Sequence, residues 1–275
     1  MRLIEGNLNT SFQLFLSKIV HDTAYYGQLS LPDYLFRTTS VKDFCLCIYP
    51  STLLHNAENN ANAFKERSIL AYRNDTVDEF NNHLIMEMPG ELHQLYAMNS
   101  VDMSEEAAIA EPFANEYLQT INIASLPPAN LKLKIGAPVI LLRNLSPLEG
   151  LCNGTRLRIL GISWNCLKVA FLGGNRDGHI RLLPRIKLSS GIEDLPFIPI
   201  RKQFPIRLSF AMTVNKAQGQ SLHNVGIDLR SPAFTHGQLY VALSRATSVT
   251  GLALLMPEST PTTTINVVFP SVLLE

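Results

Sequence analysis

The chain has 275 residues, 46% of them apolar and only 17% charged, with 16 prolines, so it can bury a full core and is not a disordered segment. No run of roughly eighteen uncharged apolar residues occurs, which excludes a membrane-spanning helix and gives no reason to expect a membrane partner. Net charge is zero, yet residues 1–130 carry 7 Lys/Arg against 16 Asp/Glu, while residues 131–207 carry 13 against 4. A local excess of that size suits a phosphate-bearing partner, or else pairs internally with the acidic stretch before it.

The first ten residues hold one arginine and no apolar run, so neither a signal nor a transit peptide is expected, and with that a reducing compartment. Residues 12–20 place apolar side chains at helical spacing, and Leu31-Pro32 marks a loop. Residues 68–72 (SILAY) read as a short buried strand that runs into a helix over 74–81, capped by Asn74 or Asp75 and acidic in its first turn. Strand followed by capped helix is one half of a βαβ unit. Residues 86–126 read as irregular and acidic, and Pro127-Pro128 as a boundary.

Beyond that point the texture changes. Residues 138–142, 155–159, 166–171 and 179–183 are short strand-type runs separated by turn clusters such as Cys152-Asn-Gly154 and Gly173-Gly-Asn175, which predicts a small β-barrel or sandwich. From 191 the α/β texture returns, with a strand entering a helix at 208–214, a strand at 225–229, a helix at 237–246 and a last buried strand at 252–256. The Pro- and Thr-rich tail is expected to be loosely attached. The domains expected are therefore 1–130 and 196–257 as one α/β lobe, 131–195 as a β insertion, and 258–275 as a tail. Cys45, Cys47, Cys152 and Cys166 have neither CxxC spacing nor histidines at zinc-finger distance, so buried thiols and no metal site are expected.

Two segments carry candidate chemistry. In FAMTVNKAQGQSL (210–222), Thr213, Asn215 and Lys216 bring hydroxyl, amide and ammonium donors to a strand end where a helical turn begins, an arrangement suited to a backbone phosphate. Gly219 permits a positive φ or close approach of a ligand to the main chain. The same residues also suit a plain capped helix with Lys216 in solvent. In GQLYVALSRAT (237–247), Leu239, Ala242, Leu243 and Ala246 form an apolar stripe, with Gln238 and Arg245 near the opposite side. An arginine at the end of a packed helix can reach across a cleft to a phosphate, or form a surface ion pair. One tryptophan and eight tyrosines give no pattern that singles out base-stacking residues.

FPIRLSFAMTVNKAQGQSLHNVGIDL followed by THGQLYVALSRATS resembles the fifth and sixth motifs of petite-integration-frequency (PIF-type) superfamily-one DNA helicases. PPANLKLKIGAPVILLRNL and GLCNGTRLRILGI resemble the SH3-like barrel inserted in the second RecA-like lobe of that family, and ILAYRNDTVDEFN resembles its strand–helix unit after the fourth motif. The wording most resembles the helicases of Helitron rolling-circle transposons. The resemblance covers nearly the whole chain and implies an α/β fold of the P-loop NTPase type, the C-terminal half of an ATP-dependent 5′-to-3′ DNA helicase, located in the nucleus or, as elsewhere in the family, the mitochondrion. It implies that Arg245 reaches the γ-phosphate of ATP, with Arg2, Gln238, Gly219 and Gln220 also near the nucleotide. It implies that Thr213, Asn215, Lys216 and Gln218 hold single-stranded DNA, with Asn74, Arg143, Asn144 and Asn153 completing the candidate DNA set. Arg2 rests on three residues resembling the end of the family's NMRL, and equally suits a frayed terminal side chain.

No Gly-Lys pair occurs in the chain, and its one Asp-Glu, Asp78-Glu79, sits in a predicted helical turn. The loop that cradles ATP phosphates and the carboxylates that hold Mg2+ are therefore expected from a first RecA-like lobe, in cis or in trans. The chain alone is expected to be inactive. The rival expectation is a catalytically silent, single-strand-binding remnant of a transposon helicase.

Overall fold

The computed structural model describes residues 7–58, 60, 62, 64–102, 126–189 and 198–269. The chain forms two compact units, Met1–Asn56, Asn62–Glu87 and Phe210–Glu275 in the first, and Ala57–Ala61 with Met88–Ser209 in the second.

The first unit opens with α1 (Asn7–His21), where Phe12, Phe15, Leu16 and Ile19 are buried at i, i+3, i+4 and i+7 and Lys18 and His21 lie in the last turn, matching the negative end of the helix dipole. Strands β1 (Gly27–Ser30) and β2 (Phe36–Thr38) follow. Ser40 then caps α2 (Val41–Ile48) by accepting the Asp43 N–H at 3.2 Å, and Pro50 starts the one-turn α3 (Ser51–His55). Strand β3 (Arg67–Ala71) leads into α4 (Asn74–Glu87), whose buried face is Val77, Phe80, Asn81, Leu84 and Ile85.

The second unit contains β4 (His93–Tyr96), β5 (Met98–Asp102), β6 (Asn130–Leu133), β7 (Pro138–Leu141), β8 (Arg156–Ile162), β9 (Cys166–Phe171), β10 (Ile180–Pro184), β11 (Ile186–Ser189), β12 (Ile198–Gln203) and β13 (Ile206–Leu208). The chain returns to the first unit with β14 (Ala211–Thr213), β15 (Asn224–Asp228), α5 (Gln238–Leu243), β16 (Leu252–Leu255) and β17 (Thr263–Asn266).

The first unit is built on a five-stranded sheet of order β14–β3–β15–β16–β2, parallel throughout. Its central strands are apolar runs buried on both faces, as parallel strands covered by helices must be. Leu70, Val225, Ile227, Leu252 and Leu254 face a core shared with α1 and α5. On the other face Gly226 lets α2 approach: a Cβ there would lie 2.6 Å from Phe44 Cζ. At the edge strand β14, the buried Asn81 amide both donates to the Ala211 carbonyl (3.1 Å) and accepts the Ala211 N–H (2.9 Å), so the sheet edge is satisfied by a side chain of α4. Part of the tail expected to be loose is ordered, since β17 pairs antiparallel with β1. Among the four cysteines only Cys45 is buried; Cys47 is exposed and Cys152 and Cys166 are intermediate, which corrects the expectation of buried thiols. No helix among the described residues is long and apolar enough to cross a membrane.

The second unit is antiparallel, with sheets β10–β9–β8–β7–β13, β11–β12–β5 and β4–β6. The four strand runs expected between 138 and 183 are present as β7 to β10. The barrel is not: no ladder joins β10 to β13 among the described residues, so the largest sheet is open. The unit is also wider than the expected 131–195, because β4 and β5 pair with the distant β6 and β12, and Pro127-Pro128 falls inside it. Five of the cations in the basic stretch, Lys134, Arg156, Arg185, Arg201 and Arg207, are buried. Lys134 donates to the Met88 carbonyl, Arg156 to Ser209 O (3.3 Å), Arg185 to Trp164 O and Tyr96 O (2.7 Å each), and Arg201 to Pro127 O (2.9 Å) and Asn99 Oδ1 (2.8 Å). Much of the positive charge thus terminates backbone carbonyls inside the unit rather than facing solvent.

Replacing Asn81 by alanine removes both bonds to Ala211 and leaves its edge groups buried and unpaired. Urea unfolding should show a loss of about 2–4 kcal/mol; a loss under about 0.5 kcal/mol would mean the edge is not held this way.

Candidate functional site

In a parallel sheet, ligand-binding residues gather beyond the carboxyl ends of strands whose connections leave toward opposite faces. Strands β3 and β15 are neighbours, and after β3 the chain enters α4 on one face, whereas after β15 it enters α5 on the other. Between them opens a crevice of roughly 640 Å³ lined by Tyr72, Arg73, Asn74, Asp75, Ser231, Pro232 and Phe234. Asn74, the first residue of α4, is exposed at its rim. Arg73 and Asp75 are exposed and 3.8 Å apart, and the Tyr72 hydroxyl is buried with no hydrogen-bond partner among the described residues. Burial raises the Tyr72 pKa, with Asp228 adding to the shift, so the phenol stays protonated. Arg230, nearby in sequence, is committed elsewhere: its Nε and Nη2 grip the buried Asp228 carboxylate at 3.0 and 2.7 Å, and its guanidinium lies 5.6 Å over the Phe80 ring. The bond to Asp228 is what raises its pKa. Of the lining residues only Asn74 was among the candidate site residues of the sequence; Tyr72, Arg73, Ser231 and Phe234 are recognisable as lining residues only once the two strands they follow are known to be neighbours.

Thr213 ends β14, and Val214–Ala217 form a 3-10 turn, not the start of a longer helix. The expected set of free N–H groups at a helix N-terminus is reduced to one short turn. Thr213 makes no capping bond, Asn215 and Gln218 are exposed, and Lys216 is half-buried. Gly219 has φ +80°, a conformation that turns the chain back toward β15 and favours glycine.

Arg245 lies beyond α5, which ends at Leu243, two residues short of it. The helix is shorter than expected because the chain at 245–247 leaves it to pair with the loop before β15. Leu222 N–H donates to Arg245 O (2.9 Å), Thr247 N–H to Leu222 O (3.0 Å), and Leu222 and Ala246 form a parallel bridge. The half-buried Arg245 side chain donates from Nε to Val241 O (3.1 Å), from Nη1 to Gln220 O (3.2 Å) and from Nη2 to Ser244 Oγ (3.0 Å). Every partner is neutral. Two of the five guanidinium N–H groups are left over, and no carboxylate pairs with it among the described residues. Gly219, Gln220 and Arg245 are therefore brought together.

Gln238 is placed differently from expectation. It is 5% exposed, and its Oε1 accepts the N–H groups of Phe234 (3.1 Å) and Thr235 (3.2 Å), holding the loop that walls the crevice. No hydrogen bond joins it to Arg245 among the described residues. In the second unit, Asn144 Oδ1 accepts the Asn153 N–H at 2.7 Å, which brings Asn144 and Asn153 together beside the half-buried Arg143. Arg2 lies outside the described residues.

A parallel sheet covered by helices on both faces, with a crevice at its carboxyl edge, defines the first unit as an α/β fold. Residues 116–162 match the family model for the DNA helicase Pif1 2B domain. The human ATP-dependent DNA helicase PIF1 is 31% identical over 199 residues, covering 68% of this chain and 26% of that protein. The fold is similar to the crystal structure of Pif1 helicase from Candida albicans (TM-score 0.59, 24% identity, covering 90% of this chain and 53% of that one) and to Pif1 from Bacteroides in complex with ADP-AlF3 and single-stranded DNA (TM-score 0.54, 20% identity, 92% and 50%). In sequence the chain is similar to the Pif1-type helicases, and its fold fits the C-terminal half of them. It spans about a quarter of the length of the human relative.

The Gln238 geometry makes a direct claim about stability. Gln238→Ala should cost about 1–3 kcal/mol of unfolding free energy, whereas Gln238→Glu, which keeps the acceptor, should retain most of it. Equal losses in the two variants would contradict a carbonyl-acceptor role.

Proposed function

We propose that this chain is the second RecA-like lobe, with an antiparallel β insertion, of an ATP-dependent 5′-to-3′ DNA helicase of the Helitron type. In this reading it binds single-stranded DNA and supplies Arg245 to ATP and Mg2+ held by a first RecA-like lobe, in cis or in trans. The observation that carries it is the state of Arg245. A guanidinium anchored by neutral carbonyls keeps its full charge, and its two spare N–H groups suit the equatorial oxygens of a transferring phosphoryl group. Gly219 and Gln220 stand beside it, so main-chain groups of that loop accompany the arginine at the nucleotide.

Hydrolysis transfers the γ-phosphoryl group of ATP to water, and negative charge grows on the phosphoryl oxygens and on the leaving ADP. A fixed cation stabilises that charge without reorganising. The chain has no Gly-Lys pair for a phosphate cradle, so its share of catalysis is this electrostatic one. On the DNA side, Asn74 at the crevice rim, with Thr213, Asn215, Lys216 and Gln218, forms a polar edge along the carboxyl ends of β3 and β14. Arg143, Asn144 and Asn153 add a second polar group in the β unit. These residues suit phosphate and sugar contacts, which fix position without reading sequence. The second reading is a catalytically silent single-strand-binding remnant.

Joining the chain to the first lobe of a Pif1-type helicase separates the two. Single-strand-stimulated ATP turnover should appear and fall by about 10³–10⁵ with Arg245→Ala. Turnover indifferent to that substitution, or none with any first lobe, would leave the remnant reading. Lys216→Ala should weaken binding of an oligothymidylate, measured by fluorescence anisotropy, and reduce the magnitude of the salt slope by about 1; an unchanged slope would remove Lys216 from the DNA set.

A further inference from the structure

The second unit carries an exposed aromatic and basic surface that the proposed function does not use. Trp164, in the turn between β8 and β9, is 58% exposed even though the Arg185 guanidinium lies 4.6 Å from the indole centroid. That guanidinium is itself sandwiched, 4.9 Å from the buried Phe204 ring on another side, and its Nε and Nη1 donate to the carbonyls of Trp164 and Tyr96. One buried cation therefore fixes the indole and ties two aromatic residues to the same point of the surface. Tyr96 is 49% exposed, with its hydroxyl donating to Gln94 Oε1 at 3.2 Å.

Two residues past Arg185, Lys187 stands directly opposite Lys202 in the β11–β12 ladder, and Lys202 stands opposite Met98, two residues past Tyr96. Both lysines are exposed, and neither has an ion-pair partner among the described residues. Like charges facing one another across a ladder repel, at a cost that a bridging anion reverses. Burial of Lys134, Arg156, Arg185, Arg201 and Arg207 leaves Lys168, Lys187 and Lys202 as the exposed cations of this basic stretch, and two of those three sit here.

We propose that Trp164, Tyr96, Lys187 and Lys202 form a further contact surface for single-stranded nucleic acid, separate from the edge that carries Thr213 and Lys216. Bases stack on the pinned indole and the neighbouring phenol, while the lysine pair takes a backbone phosphate. Arg185 is a positioning residue: it orients the indole and touches no ligand. Met98, opposite Lys202, is exposed as well, but the paired lysines and the two aromatic rings together offer charge for phosphate and π-faces for bases, the combination a single strand presents.

Trp164 is the chain's one tryptophan, so its emission reports this surface alone. Titrating the full chain with oligothymidylate at low salt should quench that emission and shift its wavelength. Lys187→Gln with Lys202→Gln, both at exposed positions, should weaken the quench-derived affinity by roughly tenfold. Trp164→Ala, followed by anisotropy of labelled oligonucleotide, should cost a similar factor and Trp164→Phe should restore most of it. Binding seen by anisotropy with unchanged tryptophan emission overturns the proposal while leaving the Lys216 edge standing. No binding by either readout overturns it as well, and quenching by an acidic peptide but not by oligothymidylate assigns the surface to a protein partner instead.

Discussion

A two-bond ladder between the loop before β15 and the chain beyond α5 holds the candidate site in place. Leu222 and the 245–247 segment exchange main-chain hydrogen bonds in the manner of a short parallel bridge, and the Arg245 guanidinium adds a third bond to Gln220. Leu222 and Ala246 sink into the core shared by α1 and α5, so the free energy of that core also fixes the arginine. Gly219 supplies the positive φ that lets the loop turn into the ladder. Because the anchors are carbonyls and a hydroxyl, the arginine is oriented without being neutralised, which is the condition for offering charge to a phosphate.

The same economy of charge runs in the opposite direction in the second unit. There, cations are placed inside, where their N–H groups donate to backbone carbonyls. Lys134, Arg156, Arg185 and Arg201 do the work that caps and ladders do elsewhere. The acidic and basic halves of the sequence do not simply cancel; part of the basic excess closes carbonyls, and a smaller part is left for solvent and ligands. Counting Lys and Arg along the chain overstates the electrostatic footprint accordingly.

The elements of the first unit that were legible have local patterns: ILAY is an apolar run after Ser68, and the helix from Asn74 opens on an acidic first turn, though it runs on to Glu87, past the 81 expected, while β1, β2, α2, α3 and β17 went unread. The candidate site residues of the 213–221 and 237–247 segments were named through a resemblance, since their side-chain types alone fit a capped helix and a surface ion pair equally well. What escaped was decided by distant chain. The HQLYAM segment alternates buried and exposed residues as strands do, yet its partners lie at 130–133 and 198–203, so it read as irregular. Residues 244–246 have helical texture but are drawn off into the ladder with Leu222. Gln238 was read with Arg245 near the side of the helix opposite its apolar stripe, and only the loop folded over it shows that its carbonyl is occupied. Closure of the β insertion into a barrel could not be judged from strand count, because closure depends on the pairing of its first and last strands.

The ladder can be observed without nucleotide or DNA. Amide hydrogen exchange at Leu222 and Thr247, resolved by NMR in the full chain, reports its two main-chain bonds directly. Both amides should be protected, and to a similar degree, because opening either bond requires the 220–222 loop and the 245–247 segment to part. Exchange of either amide at the rate of an unstructured peptide would mean that the main-chain ladder does not hold the Arg245 segment against the 220–222 loop.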